Sequence, residues 1–252
     1  MTLVVHQLFA EQRMFWRSRE AAIFIFIFPL LLFSLLASVY SGTIDVRGEE
    51  VPSADFLLAG LFGYGAANTA FAGLAIILVG RREAGILKRL RATPLPPATY
   101  ITAVILSTLL VFAVQTGALL ALGTALFGAS APANELGFAG AVVLGVACFG
   151  GMGIGAAALI RSADGASAVV NVVLLPMAFL AGSFGPRDEY PDVLQAIADV
   201  LPLSYFLDVV QGVYLDGDSL FSDVEALAVV AAWGIAGVVI ALRAFSWMPR
   251  ER

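Results

Sequence analysis

The chain has 252 residues, of which 60% are hydrophobic and 13% charged, and its mean hydropathy is +0.92. Because soluble domains carry about a quarter charged residues, this composition excludes an ordinary soluble domain and indicates a helical membrane protein. Its net charge of −5 says less about function than the placement of the charges along the chain.

The charges alternate in sign from loop to loop when six spans are counted from a cytoplasmic N-terminus. All fourteen Lys and Arg residues except Arg47 and Arg187 then fall on the cytoplasmic side, and most acidic residues fall outside. An excess of basic residues marks the cytoplasmic loops of helical membrane proteins. The pattern predicts an all-α, polytopic protein of the bacterial cytoplasmic (inner) membrane with both termini in the cytoplasm.

The apolar runs divide the chain into one transmembrane domain over residues 1–252. Spans of about 20 residues are predicted at 21–40, 56–79, 100–127, 137–160, 165–184 and 224–243. The fourth span is rich in Gly and Ala, which allow helices to approach closely in lipid. Polar side chains within the spans are candidates for a substrate pathway, or they form hydrogen bonds that only hold the bundle together. These candidates are Tyr64, Asn68, Gln115 and Asn171.

Residues 1–20 show the spacing of an amphipathic helix. Apolar residues recur on one side, with Gln7, Glu11 and Ser18 opposite. This pattern predicts an interfacial helix with Trp16 at the depth of the lipid headgroups. The alternative is a solvated basic leader.

Residues 80–97 are the most basic segment and are too polar to cross a membrane. Glu83, Leu87 and Leu90 have the spacing of one helical face, and Thr93-Pro94 ends the helix. We expect a short amphipathic helix that lies crosswise and receives a cytoplasmic partner. A simple positive anchor would explain the arginines but not the apolar stripe.

Residues 185–222 are predicted to form two short amphipathic helices at the outer side. Pro191 is placed to open the first helix and Pro202 to break it. Each helix is too short to span the membrane, so the pair is expected to dip into the outer leaflet and return.

The residue inventory disfavours catalysis and ATP binding by this chain. His6 is the only histidine, and Lys88, the only lysine, is not part of a P-loop. We therefore expect no catalytic residue, metal site or cofactor in this chain. Any ATP must be bound by another polypeptide, and no nucleic acid is expected as a partner. The spans lack the buried ionisable groups typical of ion-coupled carriers.

Two motifs resemble a known family. The stretch Arg82-Glu83-Ala84-Gly85-Ile86-Leu87-Lys88-Arg89-Leu90, followed by Ala92-Thr93-Pro94, resembles E-x-G-T-L-x-x-L-x-x-T-P, with Ile86 where the family often has Thr. The stretch Leu201-Pro202-Leu203-Ser204-Tyr205-Phe206-Leu207-Asp208 resembles L-P-x-x-Y-x-x-D. Both are motifs of permease subunits of ABC type-2 exporters, the group that includes daunorubicin-resistance-type drug exporters.

The resemblance implies the architecture and partners of that family. Two permeases pair, and two separate ATPase subunits hold ATP and Mg below them and act through a coupling helix between spans two and three. The implied coupling residues are Arg82, Glu83, Gly85, Leu87 and Leu90. The implied outer gate residues are Pro202, Tyr205, Phe206 and Asp208.

The function expected on this basis is ATP-driven export of a hydrophobic or amphipathic substrate, either drug or lipid-like. The Phe-rich spans favour such a substrate over a polysaccharide or other polymer, although polymer export is an alternative. A non-transporting membrane scaffold that recruits a soluble protein is another. A homodimer is expected, with a heterodimer as the alternative. Replacing Glu83 by Lys is expected to abolish export while leaving membrane insertion intact.

Overall fold

The computed structural model describes residues 2–40, 42–46, 48–187 and 190–248. Arg47, Asp188, Glu189, Arg250 and Arg252, which belong to the charge pattern, lie outside the described residues. The described helices are α1 Leu3–Arg17, α2 Arg19–Val39, α3 Ser53–Ala66, α4 Leu74–Glu83, α5 Ile86–Arg91, α6 Pro97–Phe127, α7 Glu135–Leu159, α8 Ala163–Leu180, α9 Asp192–Ala198, α10 Pro202–Gln211 and α11 Val224–Ala244. A π-helical stretch, Ala67–Gly73 (the π segment), joins α3 to α4, and another, Gly212–Asp216, follows α10.

Six stretches of the described chain are long and apolar enough to cross a membrane, which confirms the predicted six-span helical fold. They are Ala22–Val39, Ser53–Glu83, Pro97–Phe127, Glu135–Leu159, Ala163–Leu180 and Val224–Ala244. The second runs unbroken through α3, the π segment and α4. Its 31 residues measure about 46 Å at 1.5 Å per residue, so it is longer than the roughly 30 Å hydrocarbon core.

The loops collect at two opposite ends of the bundle. At the basic end, α4 contacts α1, the start of α6 and the α7–α8 turn, and Trp247 packs on Tyr100. At the acidic end, Ser53 donates to the Tyr40 carbonyl and the Ser130 amide donates to Asp55. These contacts place the helices alternately up and down, as the charge pattern requires.

The second span is the centre of the bundle. In its most apolar window 78% of the residues are buried, against 17% for α2. Glycine permits this burial, because a Cβ at Gly60 would collide with the Ser183 carbonyl oxygen and one at Gly63 with the Leu207 side chain. Since α2, α8 and α11 lie around this core, their outward faces remain apolar and exposed.

Close glycine packing joins α7 to α11, as the small residues of the fourth span predict. A Cβ at Gly151 would lie 2.6 Å from the Gly234 carbonyl oxygen, and one at Gly155 would lie 2.6 Å from that of Gly237. Backbone therefore meets backbone along this contact, which is the main packing device available to helices in lipid.

The acidic end contains a small hairpin that the apolar pattern does not predict. Strands β1 Thr43–Val46 and β2 Glu49–Pro52 pair antiparallel, with Ile44 opposite Val51. At the turn the Gly48 amide donates to Asp45 Oδ1 (2.8 Å), and Gly48 has a φ of 85°, a conformation that glycine adopts without a steric penalty.

The predicted pair of short helices is present as α9 and α10. Pro191 is the N-cap of α9, and the helix axis turns by 83° between α9 and the stretch Pro202–Asp216. Pro202 lies in the first turn of α10, where the missing N–H costs nothing. Pro202 therefore opens the second helix, whereas the sequence pattern indicated only that it ends the first.

Candidate coupling site and transport pathway

The basic segment after α4 is divided by a turn. Helix α4 ends at Glu83, and Gly85 follows with a φ of 69° before α5 begins at Ile86. This left-handed conformation is unfavourable for residues with a Cβ, which explains why the position holds glycine. The prediction that Glu83, Leu87 and Leu90 share one helical face is therefore wrong.

Arg82 is buried inside the bundle, with 2% of its surface exposed. Its Nη1 donates to the Ala157 carbonyl (2.7 Å) and its Nη2 to the Ile160 carbonyl (2.5 Å). These carbonyls belong to the C-terminal end of α7, where the helix dipole favours a cation. In the single chain the Arg82 side chain is enclosed by its own residues, and its assignment to the coupling set stays a prediction.

Glu83, the next residue, binds the other side of the α7–α8 turn. Its Oε2 accepts a hydrogen bond from the Ala163 amide (2.5 Å), the first residue of α8. A carboxylate at a helix N-terminus satisfies an amide that has no partner within the helix and opposes the positive end of the dipole. Arg82 and Glu83 thus fasten the end of α4 to the end of α7 and the start of α8; we call this arrangement the Arg82–Glu83 clamp.

Helix α5 is anchored by one face and exposes the other. Leu87 is fully buried and Leu90 is half-buried, whereas Lys88, Arg89 and Arg91 are exposed. The buried Leu87 holds α5 against the bundle, and its assignment to the coupling set stays a prediction. The exposed side of α5 is formed by the three basic residues, which the predicted coupling set omits although their alternation with leucine marks them in the sequence.

Helix α1 is attached to the bundle through Glu11. Glu11 Oε2 lies 2.7 Å from Nη2 of Arg81, whose Nη1 donates to the Tyr100 hydroxyl (2.7 Å). Gln12 donates to the Ser107 hydroxyl of α6 (2.9 Å). The sequence pattern places Glu11 on the polar side of α1, and the structure covers this position, because only 4% of the Glu11 surface is exposed. The apolar residues Leu3, Phe9, Met14 and Trp16 are exposed instead.

The four predicted pathway residues do not converge in one chain. Gln115 accepts from the Thr69 hydroxyl (2.9 Å) and donates to the Ile25 carbonyl (3.1 Å), so it links three helical elements. Tyr64 is buried between Phe28 and Phe184, with ring centroids 6.3 and 5.3 Å away.

The other two pathway candidates occupy different surroundings. Asn68 is half-buried in the π segment. Asn171 lies on the exposed face of α8 and donates to the Ser167 carbonyl of its own helix (2.8 Å). The four residues thus share no common lining within the single chain, and their assignment to a pathway stays a prediction; the hydrogen bonds of Gln115 agree with the alternative, a contact that holds the bundle together.

The predicted outer gate residues lie together on α10 with different neighbours. Phe206 is buried edge-on against Phe149 of α7 (5.5 Å between centroids). Tyr205 donates to the Asp199 carbonyl (2.8 Å), and the buried Pro202 begins the helix. Asp208 is paired with Arg187, whose Nη2 lies 3.0 Å from Oδ2.

The loop before α9 closes over this region. Tyr190 donates from its hydroxyl to the Phe179 carbonyl at the end of α8 (2.9 Å). Burial raises the pKa of Tyr190, and the neighbouring Tyr40 raises it further. The hydroxyl therefore keeps its proton, and with it this hydrogen bond, throughout the physiological pH range.

Comparisons with known proteins identify the family of the chain. Residues 4–215 match the model of a family described as ABC-2 type transporter. The chain is also 31% identical over 155 residues to the inner membrane transport permease YhhJ of Escherichia coli K12 and, to the same extent, to its namesake of Shigella flexneri. That alignment covers 57% of this chain but only 40% of either relative, so the chain corresponds to less than half of them. The family match covers most of the sequence, and the chain belongs to the ABC-2 type transporter family.

Proposed function

We propose that the chain is the transmembrane permease subunit of an ATP-driven exporter similar to the daunorubicin-resistance type. Separate ATPase subunits bind ATP and Mg, and they dock at the basic end, which faces the cytoplasm together with both termini. The observation that carries the proposal is α5, a helix whose apolar side is anchored in the bundle and whose Lys88, Arg89 and Arg91 are exposed.

The Arg82–Glu83 clamp supplies a route for motion from α5 into the membrane. A displacement of α5 pulls on the end of α4 through the two residues between them, and the clamp passes that displacement to α7 and α8. ATP binding drives transport only if the ATPase pair has different contacts with two arrangements of the permease. In this proposal Arg89 serves docking, and Glu83 serves transmission after docking.

The outer and interfacial elements have corresponding roles. Helix α1 lies in the membrane interface, which is supported by its exposed Leu3, Phe9 and Trp16. The α9–α10 pair re-enters from outside and closes the pathway. Its depth is supported by the hydrogen bond from Trp233 Nε1 to the Val200 carbonyl (3.2 Å), since Trp233 lies well inside α11.

Two copies of the chain pair around the pathway in this proposal. Asn171 is an exposed polar residue of α8, one and two turns before the exposed apolar Leu175 and Phe179, and polar side chains in membrane helices commonly serve helix–helix contacts. A cyclic twofold assembly is the commonest closed arrangement, so we favour a homodimer over a heterodimer. The pathway between the copies has apolar walls, which suits a drug or lipid-like amphiphile.

Co-purification separates docking from transmission. The wild-type chain, isolated from its native membrane in mild detergent, is expected to retain a P-loop ATPase whose activity rises with substrate. Arg89→Glu is expected to lose the ATPase, because α5 then presents an acidic side chain. Glu83→Lys is expected to keep the ATPase but lose its stimulation, because a cation replaces the carboxylate at the start of α8.

The matched control is Arg243→Glu, an equal charge reversal at the exposed end of α11, which should behave as wild type. Absence of an ATPase from the wild-type preparation would contradict the permease proposal and favour a scaffold. Retention of the ATPase by Arg89→Glu would contradict the assignment of α5 alone.

A further inference from the structure

A cavity of about 390 Å³ opens at the basic end between α1, the start of α2, the second span and α6. Most of its wall is apolar, formed by residues such as Phe15, Ile25, Leu74, Ile77, Val104 and Val111. Glu11 and Arg81 also line it. Small-molecule sites have this volume range and this combination of an apolar wall with a few polar groups.

Two glycines keep the cavity open. Gly73 and Gly80 both line it, and a Cβ at Gly80 meets no neighbouring group within 4 Å in the described part of the chain. A Cβ at Gly73 meets only the Asn68 carbonyl oxygen, at 3.6 Å. Their lack of side chains is therefore not explained by tight packing, in contrast to Gly151 and Gly155 of α7. Larger residues at either position would fill the space.

The cavity is deep along the membrane normal. Its lining extends from Arg81, near the end of α4, to Thr69 in the π segment. The rise of about 18 Å over the twelve steps from Thr69 to Arg81 is close to the roughly 15 Å of one leaflet of the hydrocarbon core. An elongated chain therefore fits the space better than a compact ring system.

The polar groups at the open end favour a particular head group. Arg81 is mostly buried, with 15% of its side chain exposed, and it uses Nη1 for Tyr100 and Nη2 for Glu11. A guanidinium has five N–H donors, so Arg81 retains donors for a guest. Because Glu11 neutralises the arginine, a doubly charged head group finds no compensating charge in a mostly apolar cavity, and a head that accepts hydrogen bonds with at most one negative charge is preferred.

We propose that this cavity binds a single-chain amphiphile that enters from the leaflet at the basic end, with its hydrogen-bond-accepting head at Arg81 and its acyl chain directed towards Thr69. The amphiphile is a transport substrate only if the proposed function is correct, but binding does not depend on transport. The carboxylate of a fatty acid and the phosphodiester of a lysolipid share the required chemistry.

Trp16 reports occupancy of the cavity. Its ring lies 5.2 Å from that of Phe15, which lines the cavity, and 5.5 Å from that of Phe26. The chain has three tryptophans, and the double substitution Trp233→Phe and Trp247→Phe leaves Trp16 as the only one. Titration of this variant in detergent with 9,10-dibromostearate is expected to quench Trp16 saturably, because bromine in the acyl chain quenches indole at short range.

Filling the cavity provides the decisive comparison. Gly80→Leu, made in the single-tryptophan variant, is expected to weaken the saturable quenching at least about tenfold, because the cavity then has no room for the chain. Gly117→Leu is the matched control, because Gly117 also lies on a helix with open space at its Cβ but is exposed on α6. Gly73→Leu replaces Gly80→Leu if the latter does not fold, as judged by its melting temperature.

Further probes show which head group the cavity accepts, and thus whether the ligand is a fatty acid or a lysolipid. Brominated lysophosphatidylcholine should quench as dibromostearate does if any acceptor head suffices, and only dibromostearate should quench if a free carboxylate is required. A brominated cationic amphiphile of the same chain length should quench without saturation. Equal quenching of Gly80→Leu and Gly117→Leu, or saturable binding of the cation, would overturn the proposal.

The outcome is independent of the test of the proposed function. A co-purifying ATPase without saturable quenching would refute the amphiphile site alone. Saturable quenching without an ATPase would leave the site in place and refute the permease assignment.

Discussion

Arg82 is the residue whose neighbours most constrain the basic end. A buried charge is costly unless its hydrogen bonds are satisfied, and Arg82 satisfies two with carbonyls at the end of α7. Because Glu83 holds the first amide of α8, two consecutive side chains stabilise both ends of one turn. Arg82 and Glu83 therefore stabilise the folded chain, in addition to their role in the proposed coupling.

We expect Arg82→Met to lower the free energy of unfolding by about 2–4 kcal/mol, because it removes two charge-assisted hydrogen bonds and leaves two buried carbonyls without them. Arg82→Lys should lose less, since its ammonium can still reach one carbonyl. Thermal unfolding in detergent measures the difference. Arg243→Met, on an exposed face, is the control, and equal melting temperatures for the two methionine variants would contradict this account.

The sequence motif identifies Arg82 and Glu83, but it does not indicate which residues surround them in the folded chain. The carbonyl partners of Arg82 lie 75 and 78 residues further along the chain, and Glu11 and Arg81 are 70 residues apart. Helical spacing describes only local neighbours, so it places Glu11 on a polar face without indicating that this face is covered. The exposed side of α5 is predictable, because there the local pattern decides exposure.

At the scale of elements, the six spans follow from apolar runs, whereas their interruptions do not. The break at Gly85, the β1–β2 hairpin and the π segment each depend on backbone conformation or on packing against another helix. Close packing of α7 is predictable in part, since its small residues mark a contact face. Which glycines of that face touch a neighbour requires the structure.

Adjacent glycines of α7 should differ in their tolerance of a methyl group. A Cβ at Gly151 would lie 2.6 Å from the Gly234 carbonyl oxygen, whereas one at Gly150 meets only a Leu74 methyl at 3.5 Å. Gly151→Ala is therefore expected to cost about 1–3 kcal/mol, because backbone must move, and Gly150→Ala should be neutral. Melting temperatures of the two variants test this, and equal values would show that α7 and α11 adjust freely.

At the scale of the whole molecule, the separation of charge between the two ends predicts the orientation. The basic end should face the cytoplasm, since positive loops are retained there. Cys148 is the only cysteine and is buried, so new cysteines can be labelled against a low background.

In intact cells Ser219→Cys, at the acidic end, is expected to react with a membrane-impermeant maleimide. Met248→Cys, at the basic end, should react only after the cells are permeabilised. Both positions are exposed. The reverse result would invert the orientation, and labelling of both from outside would contradict a membrane crossing by α11, which lies between the two positions.

The unequal burial of the spans also has a consequence for biogenesis. Helix α2 has a mean hydropathy of 2.7 and few buried residues, so it can enter the bilayer alone, whereas the second span has 1.6 and depends on its neighbours. Arg82 obtains its partner at Ile160 only after 78 further residues are synthesised, which takes about 4–16 s at roughly 5–20 residues per second. During those seconds we expect its guanidinium to bind the phosphates of the lipid headgroups, so that the end of α4 takes its final place only when α7 arrives.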